Sequence, residues 1–289
     1  MSNRRLTWSR RSLLNGAVGA AVVLGLTGST GPAEPFPRSA ADRRTGNDKW
    51  LRAASFNIHH GASPDDVLDL ERIARRIEAL NVDVIGLQEV DRFWKRSDHV
   101  DQPAWLSRRL GLHVAFGLNE LRRSDGAGRR REYGTAILSR WPIRETRNVA
   151  LPRWDDHARH GLLRTEIDMP GGSLSFATTH LIHAHHDEER AAQAKAVAKQ
   201  FADDARRSVV VGDFNDEPNT PAIAAMTRRF TDAWAVAGSG KGYSYSSTKP
   251  KRRIDYVFGS EDLEPRAMTV DDTDPRASDH LPILTEFEL

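Results

Sequence analysis

The chain has 289 residues, 28% of them charged and 39% hydrophobic, which suffices for one large α/β domain or two small ones. Its 42 basic and 40 acidic residues nearly balance. Residues 1–33 hold four arginines and no acid, so the remainder has 38 basic residues against 40 acidic ones. This balance gives the remainder no general attraction for polyanions. The lack of cysteine excludes disulfides, thiolate catalysis and cysteine metal sites, and it favours Mg²⁺, Mn²⁺ or Ca²⁺ over structural zinc.

Residues 1–33 have the layout of an export signal, in which basic residues precede an apolar stretch and then small polar residues. Within it, Ser9-Arg10-Arg11-Ser12-Leu13-Leu14 resembles the twin-arginine motif, which predicts export of the folded protein to the periplasm or beyond by the twin-arginine machinery. The alternative is an ordinary amphipathic or membrane-anchoring segment. The apolar run is shorter than the roughly 20 residues that cross a bilayer, so we expect no stable membrane span.

A single mixed α/β domain is predicted for residues 50–289. Residues 34–49 are rich in proline, alanine, arginine and aspartate without periodicity, which is typical of a disordered linker. After residue 50 we find neither an internal repeat nor an obvious break, so one domain is the simplest organisation.

Apolar patterns predict the elements of this domain in chain order. A strand is expected at 51–58, a helix from the apolar spacing between Leu70 and Leu80, and a strand at 82–87 that delivers Glu89 at its carboxyl end. Further strands are expected at 135–138, 174–178, 209–211, 254–258 and 281–289, with a helix at 188–201. Thr220-Pro221 has the composition of a helix start, with threonine as cap and proline in the first turn.

Carboxylates, amides and imidazoles recur where these strands end, a position at which α/β proteins commonly bind ligands. They are Asn57, Glu89, His180, Asp213, Asn215, Asp255, Asp279 and His280. Each alone has an ordinary explanation, such as an Asx turn at Asp213 and Asn215 or a structural histidine at His180. Together they offer the cation ligands, the water-activating base and the donors that phosphoester hydrolysis requires.

The order of the motifs resembles the endonuclease/exonuclease/phosphatase superfamily over residues 51–289. The motifs are Ser55-Phe56-Asn57, Leu87-Gln88-Glu89, Gly134-Thr135-Ala136-Ile137-Leu138-Ser139, Thr179-His180, Gly212-Asp213-Phe214-Asn215, Arg253-Ile254-Asp255-Tyr256 and Ser278-Asp279-His280. The resemblance implies a two-sheet α/β sandwich flanked by helices, with the catalytic groups at one edge. It also implies that Glu89 is the principal metal carboxylate, that Asn57 and Asp279 help to hold the metal, and that the metal is Mg²⁺ or Mn²⁺.

Catalytic roles are implied in the same way for the remaining residues. Asp213 would activate the attacking water, and Asn215 would position the water and the phosphate. His280, oriented by Asp255, would contact the phosphoryl oxygens, and His180 would donate to the same group.

Departures from the abasic-site nuclease branch bear on the substrate. That branch has an acid two residues after the asparagine, where this chain has His59. Its phosphate-contacting tyrosine is set back from the strand that begins with the glycine of the third motif, whereas in this chain Tyr133 directly precedes that glycine, Gly134. The basic segment 122–131 could grip a polyanion, but it is more typical of a solvated loop and contains no interleaved aromatics for base stacking. His183, His185 and His186 are expected in a solvent-facing loop near the site.

The sequence therefore predicts an exported, metal-dependent phosphodiesterase or phosphatase. A secreted nuclease acting on DNA or RNA is one alternative, and a non-catalytic module that binds a phosphate ligand is another. Phospholipid head groups are also possible substrates, although no exposed apolar hairpin is evident in the sequence.

Overall fold

Two mixed β-sheets form the framework of the part of the chain that the computed structural model describes, residues 49–124, 128–183, 185–202 and 207–289. The predicted export signal and residues 34–48 of the predicted linker lie outside it. The strands are β1 Trp50–Asn57, β2 Val84–Arg92, β3 His113–Arg122, β4 Arg131–Ser139, β5 Ile143–Ala150, β6 Gly161–Met169, β7 Gly172–His180, β8 Ser208–Asp213, β9 Thr231–Asp232, β10 Asp255–Gly259, β11 Glu264–Val270 and β12 Ile283–Glu288. The helices are α1 Leu70–Leu80, α2 Gln102–Leu110, α3 Asp187–Lys199, α4 Pro221–Thr227 and α5 Ala233–Ala237.

Each sheet has six strands, in the orders β11-β12-β1-β2-β4-β3 and β5-β6-β7-β8-β10-β9. The faces that meet form a central core to which both sheets contribute, including Val84 and Ile137 from the first and Phe176 and Val211 from the second. Helices α1 and α2 cover the outer face of the first sheet, and α3 and α4 cover that of the second. The chain therefore folds as the expected two-sheet α/β sandwich flanked by helices.

Local sequence explains where the helices begin. The Asp69 side chain accepts a hydrogen bond from Arg72 N at 2.9 Å and caps α1, whose Ile73 and Ile77 face the core. Thr220 caps α4 with Pro221 in the first turn, as predicted. No helix within the described residues is long and apolar enough to cross a membrane.

Strand β2 differs from its prediction. The prediction ended this strand at residue 87 with Glu89 beyond it, whereas β2 continues to Arg92. The pairing with β4 shifts register between Leu87 and Val90, so Glu89 lies in a β-bulge within the strand. A bulge changes the direction of a side chain without ending the pairing of the two strands. The apolar pattern of the sequence is interrupted at the bulge just as it is at the end of a strand, so the sequence alone predicts that the strand ends there.

Candidate active site

Strand pairing places three of the predicted residues in one row. Strands β7 and β8 are parallel with His180 opposite Asp213, and β10 is antiparallel to β8 with Asp255 opposite Asp213. In the other sheet, the parallel pair β1 and β2 sets Asn57 beside Gln88, next to the bulge that carries Glu89. The two sheets therefore present their polar residues at the same edge.

Asn57 joins the two sheets through its side chain. Its Nδ2 atom donates to Glu89 Oε1 at 3.1 Å and to Asp213 Oδ2 at 3.1 Å, while its Oδ1 atom accepts from His59 N at 3.1 Å. The Asn57 carbonyl also accepts from Ser278 Oγ at 2.7 Å. In this orientation the amide nitrogen faces the carboxylates, so Asn57 fixes the separation between them.

Glu89 is held in an uncommon backbone conformation, with φ of 57°. Non-glycine residues seldom adopt left-handed φ values, and such strain is found preferentially at functional sites. Burial alone would raise the pKa of Glu89, but the neighbouring His180, the hydrogen bond from Asn57 and the neighbouring His280 together hold this pKa below its usual value. The surroundings therefore keep Glu89 as a carboxylate.

Asp213 is the centre of the constellation. Its Oδ2 atom lies 3.5 Å from His180 Nε2 and 3.5 Å from His280 Nε2, in addition to the contact with Asn57. Burial raises the pKa of Asp213 above its usual value, and the nearby Asp255 adds to the increase, while His280 and His180 oppose it. A carboxyl group with a raised pKa is suited to accept a proton.

His280 forms a hydrogen bond with Asp255. His280 Nδ1 donates to Asp255 Oδ2 at 2.9 Å, and the same oxygen accepts from Ser244 Oγ at 2.6 Å. Although burial opposes protonation, Asp255 and Asp213 together raise the pKa of His280 to about 10. His280 is therefore an imidazolium at neutral pH, with its Nε2–H directed toward Asp213.

Asn215 and His180 contact each other directly. Asn215 Nδ2 lies 3.0 Å from His180 Nε2 and donates to Leu181 O at 2.9 Å, while Asn215 N donates to Asp213 Oδ1 at 2.9 Å. His160 Nδ1 donates to the His180 carbonyl at 2.6 Å. These contacts position the amide and the imidazole beside the Asp213 carboxylate.

Asp279 is less closely connected to the predicted metal residues. Its carboxylate accepts from Ser278 Oγ at 3.4 Å and makes no hydrogen bond to Glu89 or Asn57 in the described part of the chain. It still acts on the site electrostatically, because it contributes to the raised pKa values of His280 and Tyr245. The structure therefore places Asp279 at the margin of the constellation.

Three aromatic and basic residues extend the site beyond the sequence prediction. The Tyr245 ring lies 4.7 Å from that of His280. Burial is the main cause that raises the pKa of Tyr133, and the nearby Glu89 carboxylate raises this pKa further. The Arg96 guanidinium lies 5.6 Å from the Tyr133 ring. The motif position of Tyr133 argued against a role in the site, and neither Tyr245 nor Arg96 lies in a motif.

Two sets of residues could hold a cation here. Asp213, Asp255 and His280 lie close enough together to share an ion. The raised pKa of His280 and its hydrogen bond to Asp255 instead make these three residues a charged hydrogen-bonded network, which leaves His280 without a free ligand atom facing Asp255. Glu89 and Asp213 offer two carboxylates bridged by one amide, and oxygen donors of this kind suit Mg²⁺ and Mn²⁺. The residues present thus fit a divalent cation at Glu89.

Comparison with known proteins is consistent with this geometry. The Endonuclease/Exonuclease/phosphatase family matches residues 54–280, most of the chain. The chain belongs to this family, whose members are in general phosphoester hydrolases, phosphatases and nucleases among them, and typically use divalent metals. A comparison with curated protein sequences gives no match.

Solved structures share the fold. An endonuclease/exonuclease/phosphatase from Beutenbergia cavernae is 28% identical, with a TM-score of 0.72 over 83% of this chain and 72% of that one. The mannosyl-6-phosphatase of Bacteroides thetaiotaomicron is 19% identical, with a TM-score of 0.66 over 83% of this chain and 100% of that one. The human Nocturnin catalytic domain is 20% identical, with a TM-score of 0.65 over 83% and 94%.

Proposed function

We propose that this protein hydrolyses phosphoester bonds as a phosphodiesterase or phosphatase that depends on Mg²⁺ or Mn²⁺. The observation that carries the proposal is the convergence on Asp213 of the Asn57 amide at the end of β1 and two imidazoles, His180 at the end of β7 and His280 just before β12. All three lie within 3.1 to 3.5 Å of one carboxylate oxygen. A surface that only bound phosphate would have no need of a buried acid with a raised pKa among these donors.

Each group has a chemical task in this proposal. Asp213 accepts a proton from the attacking water, which Asn215 orients. His280, kept protonated by Asp255, donates to a phosphoryl oxygen, and His180 donates to the same group. Donors that are already in place when charge develops on the phosphoryl group lower the barrier without reorganisation.

The metal is part of the proposal. Glu89 would hold the cation, with Asp213 nearby and Asp279 helping from the margin, and Asn57 would keep the carboxylates apart. When bound, the cation supplies charge neutralisation for the phosphoryl oxygens.

Asp213→Asn tests the catalytic proposal against a binding module that does no chemistry. The purified protein would be assayed with Mg²⁺ against phosphodiester, phosphomonoester and phospholipid substrates, with the exposed Asp272→Asn as the matched control. We expect turnover to fall by at least about 100-fold in Asp213→Asn, the usual scale for loss of a general base, and to be unchanged in the control. If Asp213→Asn retains every activity and the wild type only binds, the enzyme proposal is wrong.

A nuclease is the second candidate, and one surface favours it. The segment after β2 supplies two aromatic rings to the basic segment 122–131: the Arg129 guanidinium lies 4.9 Å from the Phe93 ring, and that of Arg131 lies 4.8 Å from the Trp94 ring. Arg96 lies between Trp94, at 5.0 Å, and the Tyr133 ring. Such an alternation of arginine and aromatic rings beside a phosphoester site could contact bases and backbone of a single strand.

Substrate choice separates the two candidates. Rapid degradation of single-stranded DNA or RNA that is lost in Trp94→Ala, but not in the exposed Trp50→Ala, would identify a nuclease. Hydrolysis of small phosphodiesters by both variants, without cleavage of nucleic acid, would identify the phosphodiesterase.

Export is proposed on the sequence motif alone. Replacing Arg10 and Arg11 by lysine is expected to retain the protein inside the cell, because the twin-arginine machinery requires the pair. The same replacement of Arg4 and Arg5 is the control, and cell fractionation gives the readout. Normal export of the Arg10/Arg11 variant would exclude this route.

A further inference from the structure

A second cluster of metal-binding side chains lies outside the constellation around Asp213. His157 Nδ1 lies 2.5 Å from Glu189 Oε2, and the His157 and His186 rings are 4.3 Å apart. One ligand atom from each of these three residues lies within 4.8 Å of the others. The His183 ring lies 5.8 Å from that of His186, so another imidazole is present at the same edge.

Glu189 is the anchor of this cluster, and it is buried completely. Its Oε1 atom accepts from Trp154 N at 3.2 Å and from Gln193 Nε2 at 3.5 Å, both neutral donors. Its Oε2 atom contacts only His157 among the described residues. A buried carboxylate needs a cationic partner, and the imidazoles beside it can either supply the charge or share a metal ion with it.

We propose that His157, His186 and Glu189 bind a transition-metal cation of the Zn²⁺ class. Two imidazoles and one carboxylate form a donor set that Zn²⁺ accepts at about 2.0–2.2 Å, with the fourth position open to water or to another imidazole. The absence of cysteine does not exclude such a site, because neutral imidazole suits zinc and related ions. The three side chains already lie together, since His157 and Glu189 touch and His186 packs against His157.

The surroundings indicate what such an ion would do. His157 belongs to the β5–β6 connection, whereas His186 and Glu189 lie at the start of α3, so the ion would join two segments. Gln193 already links them, because its Nε2 atom donates to Pro152 O at 3.0 Å and its Oε1 atom accepts from Ile182 N at 2.9 Å. Ile182 follows His180 by two residues, and the ion would therefore stabilise the connection that leads away from that histidine.

The test is zinc binding by the full chain after removal of metals by a chelator. Glu89→Gln serves as the background, because it removes the proposed Mg²⁺ carboxylate and leaves the cluster intact. We expect this background to bind one equivalent of Zn²⁺ by calorimetry, to show the visible absorption of tetrahedral Co²⁺, and to unfold at a higher temperature with Zn²⁺ than without it.

Adding His186→Ala or His157→Ala to the background should weaken Zn²⁺ binding by more than about 100-fold, since even outer hydrogen-bond partners of metal ligands cost 10–100-fold. Adding His113→Ala, which removes an exposed histidine on β3, should leave binding unchanged. His186 is only half-buried, so this variant is expected to fold, and circular dichroism verifies it. Equal zinc affinity in the His186→Ala and His113→Ala variants, or no zinc bound by the Glu89→Gln background, would overturn the proposal. Neither result depends on phosphoester hydrolysis.

Discussion

Asn57 Nδ2 donates to Asp213 Oδ2 across the two sheets, over 3.1 Å and 156 residues of sequence. The same nitrogen donates to Glu89, so one amide sets the distance between the buried Asp213 carboxylate and the half-buried Glu89 carboxylate. Two like charges in a buried site repel unless donors or a cation lie between them. Asn57 therefore connects the fold to the proposed chemistry.

Replacing Asn57 by alanine should lower turnover by about 10- to 100-fold and weaken the apparent Mg²⁺ affinity, as is usual for residues that position metal ligands. Ser278→Ala is the comparison variant, because it leaves the Asn57 amide in place and removes a hydroxyl that donates to the Asn57 carbonyl and to Asp279 and accepts from His280 N. We expect this comparison variant to lose stability with a smaller loss of turnover. Steady-state kinetics over a range of Mg²⁺ concentrations measure the turnover and the apparent Mg²⁺ affinity. Unchanged metal dependence in Asn57→Ala would contradict this role.

The pH profile should report the imidazolium at His280. If protonated His280 donates to the substrate, activity falls as pH rises through the pKa of about 10. Asp255→Asn removes the main charge that raises this pKa, so the alkaline limb should move to lower pH, whereas the exposed Asp272→Asn should not move it. Identical alkaline limbs in the wild type and Asp255→Asn would separate His280 from catalysis.

The raised pKa of His280 also predicts that the stability of the protein depends on pH. The folded pKa of His280, about 10, exceeds the usual 6.5, so folding favours the protonated form. This stabilisation is fully present below pH 6.5 and is lost as pH rises from there to about 10. The free energy of unfolding in urea should therefore decrease over this range, and the decrease should be smaller in Asp255→Asn. A decrease of equal size in both proteins would refute the assignment.

Chelation is the direct test of the metal. EDTA should abolish turnover, and Mg²⁺ or Mn²⁺ should restore it, because the Glu89 carboxylate provides an oxygen ligand of the kind that these ions prefer. Raising the Mg²⁺ concentration should also move the acid limb of the pH profile to lower pH, since a nearby cation lowers the pKa of Asp213. Full activity in the presence of chelator would remove the cation from the proposal.

Several features of the site were accessible from sequence because of where strands end. Short apolar runs lead into Asn57, His180 and Asp213, and all three residues terminate strands in the structure. Neighbouring parallel strands place such ends side by side, so the convergence follows from the element order together with the family motifs. The fold class followed from the same motifs.

Other features depend on contacts that local patterns cannot reveal. The bulge at Glu89 is a register shift between β2 and β4, and it becomes visible only when the two strands are paired. The basic segment 122–131 contains no aromatic residue, and Phe93 and Trp94 reach it from the segment after β2. Tyr133 likewise lies beside Glu89 because β4 pairs with β2 across that bulge.

Gly86 tests how tightly the sheets approach each other beneath the site. A Cβ atom at this position would lie 2.6 Å from Thr178 Oγ1 and closer still to Val211 Cγ2, both on the opposite sheet. Because packed interiors yield little, Gly86→Ala should destabilise the protein by about 1–3 kcal/mol and also lower activity by displacing β2 and Glu89. Gly240→Ala is the comparison, since it meets no atom within 4 Å but has a φ of +74°, and should cost about 1–2 kcal/mol without loss of activity. Urea unfolding and kinetics on both variants separate these effects, and full activity in Gly86→Ala would show that the sheet spacing at Gly86 does not position Glu89.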